Sequence, residues 1–235
     1  MFRLDNKVAV ITGAGSGIGR AMATVFARQG AQVYILDFDE AGAAAVAAEI
    51  KDAGFHAIYY KCNVADGEEV KAIINSIAAE KEKIDILINN AGIAHIGNAE
   101  NTSEEDFDRL LGVNVKGIYH VLQAALPHMK THGGSILNMA SIASTVGLPD
   151  RFAYSTTKGA VVGMTLSAAK DYLPYNIRCN CISPARVHTP FVDGFLQKNY
   201  PGKEDEMFQK LSKTQPIGRM AQPEEVAYLA LYLCS

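Results

Sequence analysis

The sequence predicts one α/β domain over residues 1–235, a doubly wound parallel sheet with helices on both faces. Three observations predict it. Short β-branched runs alternate with longer helical stretches along the whole chain, the rhythm of repeated βαβ units. The first run passes directly into a glycine-rich turn, TGAGSGIG from Thr12 to Gly19, before a helical pattern begins. No linker, low-complexity stretch or internal repeat breaks the alternation. The expected strand order is 3-2-1-4-5-6, with a ligand crevice at the carboxyl ends where the order reverses.

Each element has its own signal. KVAVITG (residues 7–13) is a buried first strand, and the helix after it stops at Gly30 in a C-cap position. QVYILD (32–37) is a second strand, followed by a helix that again ends at a glycine, Gly54. HAIYYKCNV (56–64) is the third. The helix from about 66 to 83 opens on acidic residues, as the positive end of a helix dipole favours. IDILINNAG (84–92) is the fourth strand. Thr102 or Ser103 with Glu105 or Asp106 forms a capping box for a helical region reaching about His132. GGSILNMAS (133–141) is strand five, 151–172 a helix, and NIRCNCISP (176–184) strand six. Residues 190–215 form an irregular or helical insert, the core of a substrate loop over about 186–216. A closing helix carries Pro223 in its first turn.

Composition narrows the partners. Apolar residues make up 49% and charged residues 20%, with a net charge of −3. That balance gives no general attraction to nucleic acid or to anionic membranes. No apolar stretch approaches the ~20 residues that span a bilayer, and the N-terminal apolar run is too short for a signal peptide. Cys62, Cys179, Cys181 and Cys234 form no CxxC pair and no metal-ligand set. Reduced thiols in a cytoplasmic protein are expected.

The glycine turn departs from the usual dinucleotide fingerprint, which places glycines at relative positions one, three and six. Here position six is Ile18, and the glycines are Gly13, Gly15, Gly17 and Gly19. The physical need is unchanged. A strand, a tight turn and a helix N-terminus offer free N–H groups and a positive dipole end to a pyrophosphate. Asp37 ends strand two, 18 residues after Gly19, close to where an acid binds the ribose 2′-hydroxyl. A carboxylate there repels a 2′-phosphate, and neither Ser16 nor Phe38 supplies an offsetting charge. NAD is expected over NADP.

The candidate chemistry lies in YSTTK. Tyr154 and Lys158 share a helix face at a spacing of four. Chance alone supplies about 0.6 such pairs in a chain of this composition, so context carries the weight. Ser141 ends strand five beside the expected crevice, and Asn114 and the run NNAG (89–92) lie near the end of strand four.

Together TGAGSGIG, Asp37, NNAG, Asn114, Ser141, Tyr154 and Lys158 resemble the short-chain dehydrogenase/reductase family, in its order and spacing over essentially the whole chain. The resemblance implies a Rossmann fold and NAD(P)-dependent hydride transfer between a secondary alcohol and a ketone. Tyr154 would be the general acid/base and Ser141 would polarise the carbonyl. Lys158 would bind the ribose and lower the tyrosine pKa, while Asn114 would hold a proton-relay water. One ammonium at ~5–6 Å in an effective dielectric of ~20 supplies ~3 kcal/mol toward that lowering. The implied cofactor contacts are Gly13, Ser16, Gly17, Ile18, Gly19, Asp37, Phe38, Asn63, Val64, Asn90, Ala91, Gly92, Tyr154, Lys158, Pro184, Val187 and Thr189. Three departures stand out. Ala185 replaces a usual glycine, Asn63 replaces a usual aspartate at the adenine, and the chain stops at Ser235 where a seventh strand normally follows. The family also implies a homotetramer or homodimer, packed through the helices over 104–132 and 151–172.

For the substrate, His95, Ser141, Arg151 and Arg186, with His188 nearby, place positive charge and a hydroxyl around a small carboxylate. The stretch from Tyr154 to Pro190 is similar to members acting on hydroxy acids, including 3-hydroxybutyrate dehydrogenases and 2-keto-3-deoxy-L-fuconate dehydrogenases. A sugar-derived hydroxy acid is expected ahead of hydroxybutyrate. The main rival is a 3-oxoacyl-[acyl-carrier-protein] reductase, which shares every motif but more often takes NADPH. A non-catalytic NAD-binding protein would lack Tyr154 or Lys158, and both are present.

Overall fold

A computed structural model describes residues 2–235, apart from the side chain of Asn199. Its strands are β1 (Val8–Thr12), β2 (Gln32–Asp37), β3 (Ala57–Lys61), β4 (Ile86–Asn89), β5 (Gly134–Met139) and β6 (Ile177–Ile182). They form one parallel sheet in the order β3-β2-β1-β4-β5-β6. The order reverses between β1 and β4, so the crevice lies where the sequence places it.

β1 shows why these strands read as continuous apolar runs. Ala9 and Ile11 face one core with Met22 and Phe26 of α1 (Gly17–Arg28), Val46 and Ile50 of α2 (Glu40–Asp52), and Val226 and Leu231 of α9 (Pro223–Cys234). Val8 and Val10 face the other core. There they meet Ile74 and Ile77 of α3 (Gly67–Lys81), Val121 and Leu122 of α5 (Gly117–Met129), and Val161 and Ala168 of α6 (Phe152–Asp171). A strand buried on both faces has no polar alternation to show.

Helix starts follow local chemistry. Ser103 caps α4 (Glu104–Leu111) by accepting the Asp106 N–H, which selects Ser103 and Asp106 among the capping pairs the sequence allows. Gln222 and Glu225 form a reciprocal capping box at α9.

The structure corrects the sequence reading in three places. The third strand ends at Lys61, and Cys62 to Val64 belong to the following loop. The single helical region reaching His132 is instead α4, a π turn over Gly112–Lys116, and α5. The insert resolves into α7 (Pro190–Asn199) and α8 (Glu204–Lys213). No helix among the described residues is long and apolar enough to cross a membrane.

Candidate active site

The glycine turn is shaped by close approach on every side. Gly13 and Gly17 hold positive φ of 64° and 54°, the left-handed region that suits glycine. A Cβ on Gly13 would lie 2.7 Å from the Ala91 Cα, and one on Gly15 would lie 3.0 Å from both the Ala43 nitrogen and Asp37 Oδ2. On Gly19 it would strike the Gly13 carbonyl oxygen. The turn leads into α1, whose first-turn N–H groups have no preceding carbonyls to bond. Ser16 caps that helix without using its hydroxyl on the cap. A smooth backbone cradle, free amides and a free hydroxyl fit a diphosphate.

Asp37 borders this cradle. Its carboxylate accepts N–H bonds from Gly15 at 2.7 Å and Asp39 at 2.9 Å, which aim it at the loop edge. Phe38 beside it is 70% exposed. Across the crevice, Asn63 Oδ1 accepts the Ala65 N–H, and the Val64 carbonyl bonds His120 Nδ1 at 2.9 Å.

The sequence reading missed Thr12. Its hydroxyl accepts the N–H groups of Asn90 and Ala91 at 3.0 and 3.1 Å. The Asn90 amide returns the tie by donating to the carbonyls of Thr12 and Gly13. Asn90, one of the implied cofactor contacts, thus has its amide N–H groups committed to the glycine turn. These side-chain bonds extend the tie between β1 and β4 past the ends of the strands, beside the crevice. A threonine opening the glycine turn was the available signal.

Asn114 sits in the π turn and is fully buried. Its side chain clamps Ile93, accepting that N–H at 2.9 Å and donating to that carbonyl at 2.9 Å, and it donates to Thr157 Oγ1 at 3.0 Å. π turns disturb the regular i+4 ladder.

Tyr154, Lys158 and Ser141 come together at the end of β5. Lys158 Nζ lies 5.8 Å from the Tyr154 ring centroid and donates to the Met139 carbonyl at 2.7 Å. Burial pushes the lysine down to about 8. Ser141 is buried, with its hydroxyl accepting the Ala143 N–H at 3.2 Å. Burial pushes the Tyr154 phenol above its ordinary value, outweighing the hydrogen bond from Ser141 and the charge of Arg151.

β6 delivers the remaining residues. Pro184 accepts the Ile142 N–H at 2.9 Å, tying strand six to the turn after strand five. Val187 forms a bridge with Ala221, and Thr189 starts α7 with its methyl near Gly17. Arg151 and Arg186 are both half-buried and neither pairs with an acid among the described residues. His95 and His188 behave otherwise. His95 Nδ1 stands 3.6 Å from Asp106 Oδ1 at the start of α4, and His188 Nε2 bonds Asp193 of α7 at 2.9 Å. Each imidazole thus stands beside an acid of the protein, and His95 Nε2 is buried with no hydrogen-bond partner among the described residues.

Comparison with known proteins agrees with this arrangement. The family model described as enoyl-(acyl carrier protein) reductase matches residues 13–235. The chain is 40% identical over 236 residues to D-threitol dehydrogenase of Mycolicibacterium smegmatis, covering 100% of this chain and 88% of that one. It is 40% identical over 239 residues to dehydrogenase/reductase SDR family member 6 of Rattus norvegicus, covering 100% and 92%. Among solved structures, 3-ketoacyl-(acyl-carrier-protein) reductase from Brucella melitensis complexed with NADH superimposes with a TM-score of 0.88 at 39% identity, covering 99% and 92%. With matches along nearly its full length, the chain belongs to the short-chain dehydrogenase/reductase family, oxidoreductases that interconvert alcohols and ketones with a nicotinamide cofactor.

Proposed function

We propose that this enzyme oxidises and reduces a small carboxylate-bearing substrate, a sugar-derived hydroxy acid ahead of 3-hydroxybutyrate, with NAD. The observation that carries the reading is a pair of half-buried guanidinium groups, Arg151 and Arg186, near enough to act on each other. Burial lowers the Arg186 guanidinium from its ordinary value and the charge of Arg151 adds to the effect, while Arg151 also acts on Tyr154. Two like charges in one half-buried place, without an acidic partner, favour an anion between them.

The cofactor residues follow the geometry of the cradle. The amides of Gly17, Ile18 and Gly19 and the Ser16 hydroxyl would hold the diphosphate. Asp37 and Phe38 would border the adenosine ribose, Asn63 and Val64 the adenine, and the backbone of Ala91 and Gly92 the second ribose. Pro184, Val187 and Thr189 would flank the nicotinamide. When bound, NAD supplies the hydride acceptor and a positive charge near the phenol. Tyr154 takes the hydroxyl proton in oxidation and returns one in reduction, and Ser141 donates to the substrate oxygen. Lys158 would hold the ribose and add its charge to the proton path, which the backbone of the Asn114 turn extends toward solvent.

Steady-state assays over hydroxy acids, matching polyols and 3-oxoacyl thioesters test the substrate. Acids are expected to lead. Arg186→Ala should raise their KM by roughly 10–100-fold, the range of a lost charge-assisted bond, and leave D-threitol unaffected. Turnover confined to uncharged polyols and unchanged in that variant would end the carboxylate reading. The likeness to 3-ketoacyl-(acyl-carrier-protein) reductase favours a second reading, and thioester reduction that outpaces every acid would select it.

Cofactor choice gives a separate test. A 2′-phosphate facing Asp37 loses on the order of 3 kcal/mol, or roughly 100-fold, through like-charge repulsion. Wild type should favour NAD by about that factor in kcat/KM, and Asp37→Ser should shrink it several-fold. Equal use of NADP by the wild type would overturn the preference. A cytoplasmic location fits the four free thiols. Assembly into a homotetramer or homodimer fits the exposed Tyr119 on α5 and Leu166 on α6.

A further inference from the structure

α7 and α8 form an excursion whose two ends are bonded to each other. His188 donates its N–H to the Ala221 carbonyl at 2.8 Å, and Ala221 donates to the Arg186 carbonyl at 2.9 Å. The Arg186 N–H also reaches Gln215 Oε1 at 3.3 Å, just past the end of α8. The base is thus a fixed point on the body of the protein, while the excursion beyond it is largely exposed.

One side chain at this base reaches both helices. His188 Nε2 bonds Asp193 Oδ1 on α7 at 2.9 Å, and its ring meets the Phe208 ring on α8 edge-on, with centroids 4.8 Å apart. The next residue, Thr189, lies against Gly17 of the glycine turn. We propose that His188 is a positioning residue that couples the α7–α8 lid to the cofactor crevice, so that the lid helices move with the loop beside the nicotinamide site. The hydrogen bond sets the pitch of α7 and the ring contact holds α8 on it. Neither contact touches substrate, so the effect falls on closure over the crevice rather than on the chemical step. The catalytic arm of this proposal rests on the function assigned above.

Limited trypsin digestion tests the coupling without catalysis. Lys198, Lys203, Lys210 and Lys213 are exposed on the excursion, and their cleavage rate follows the population of the open lid. His188→Ala should raise that rate about fivefold, the size of one partly solvated charge-assisted bond and one ring contact, at an unchanged melting temperature. Added NADH should protect the lid of the wild type but not of this variant. His188→Gln keeps a donor for Asp193 and should restore most of the protection, whereas His188→Phe keeps only the ring contact and should fall between. With 3-hydroxybutyrate as probe, His188→Ala should raise KM about fivefold and change kcat by less than twofold. Equal cleavage of wild type and His188→Ala, or equal loss in His188→Gln, would overturn the coupling. A wild type that turns over no acid counts against the carboxylate reading alone, because the digestion still decides the clamp.

Discussion

Tyr154→Phe should reduce kcat for NAD-linked alcohol oxidation by about a thousandfold, within the ~10²–10⁴ that a positioned proton-transfer group contributes. NAD affinity should stay within a factor of three and the melting temperature within ~2 °C. The phenylalanine fills the same space and removes only the hydroxyl that Ser141 addresses. Lys158→Met should differ by weakening NAD binding as well, since that ammonium also serves the ribose in the proposed arrangement. The pH profile carries the same logic. Burial holds the phenol above its ordinary value, so oxidation in the wild type should climb steadily above pH 7 as the phenolate becomes accessible. Stopped-flow NADH formation across pH 6–10 and calorimetric NAD binding measure these effects. A Tyr154→Phe enzyme retaining a tenth of wild-type kcat would remove Tyr154 from the mechanism.

Gly19→Ala should be the most damaging single methyl in the protein. Its Cβ would strike the Gly13 carbonyl oxygen, and it would lie 2.6 Å from Asn90 Nδ2 and 2.8 Å from the Ala14 Cα. Two of these atoms belong to the backbone of the turn. The third is held by bonds to Thr12 and Gly13, so no flexible side-chain end can swing away. Stability should fall by about 1–3 kcal/mol from overpacking, and NAD affinity by roughly 100-fold as the turn's amides are displaced from the diphosphate. Thermal melting with and without NAD separates the two losses. An alanine variant that binds NAD as the wild type does would show that the turn does not form the cradle.

The fate of individual residues shows why some of the site was readable and some was not. Glycines report backbone needs directly, so the cradle is visible in TGAGSGIG, and Gly13 and Gly17 do hold the left-handed conformation. Asp37 is readable because strand length ties its position to the turn. Tyr154 and Lys158 are readable as one face of a helix. Asn114 was placed near the crevice, yet the π turn that carries it has no local signal in GVNVK. Its extra residue is stabilised by the clamp on Ile93, which lies 21 residues away in the chain. Thr12 and Asn90 meet across 78 residues, a distance no periodicity reports. The sequence shows the histidines His95 and His188 but not that Asp106 and Asp193 stand beside them in the fold.

By itself the sequence determined the alternation of strands and helices, the order of the sheet through the rules of parallel crossovers, the phosphate cradle, and the pairing of a tyrosine with a lysine on one helix. These depend on residue type at short spacing, where backbone geometry leaves few choices. Tertiary structure alone decided the tie of Asn90 to Thr12 and the glycine turn, the burial of Asn114, the meeting of Ser141, Tyr154 and Lys158, and the lack of an acidic partner for Arg151 and Arg186. Those features arise where segments distant in the chain share one desolvated space, and burial, field and hydrogen-bond partners there are properties of the assembled fold.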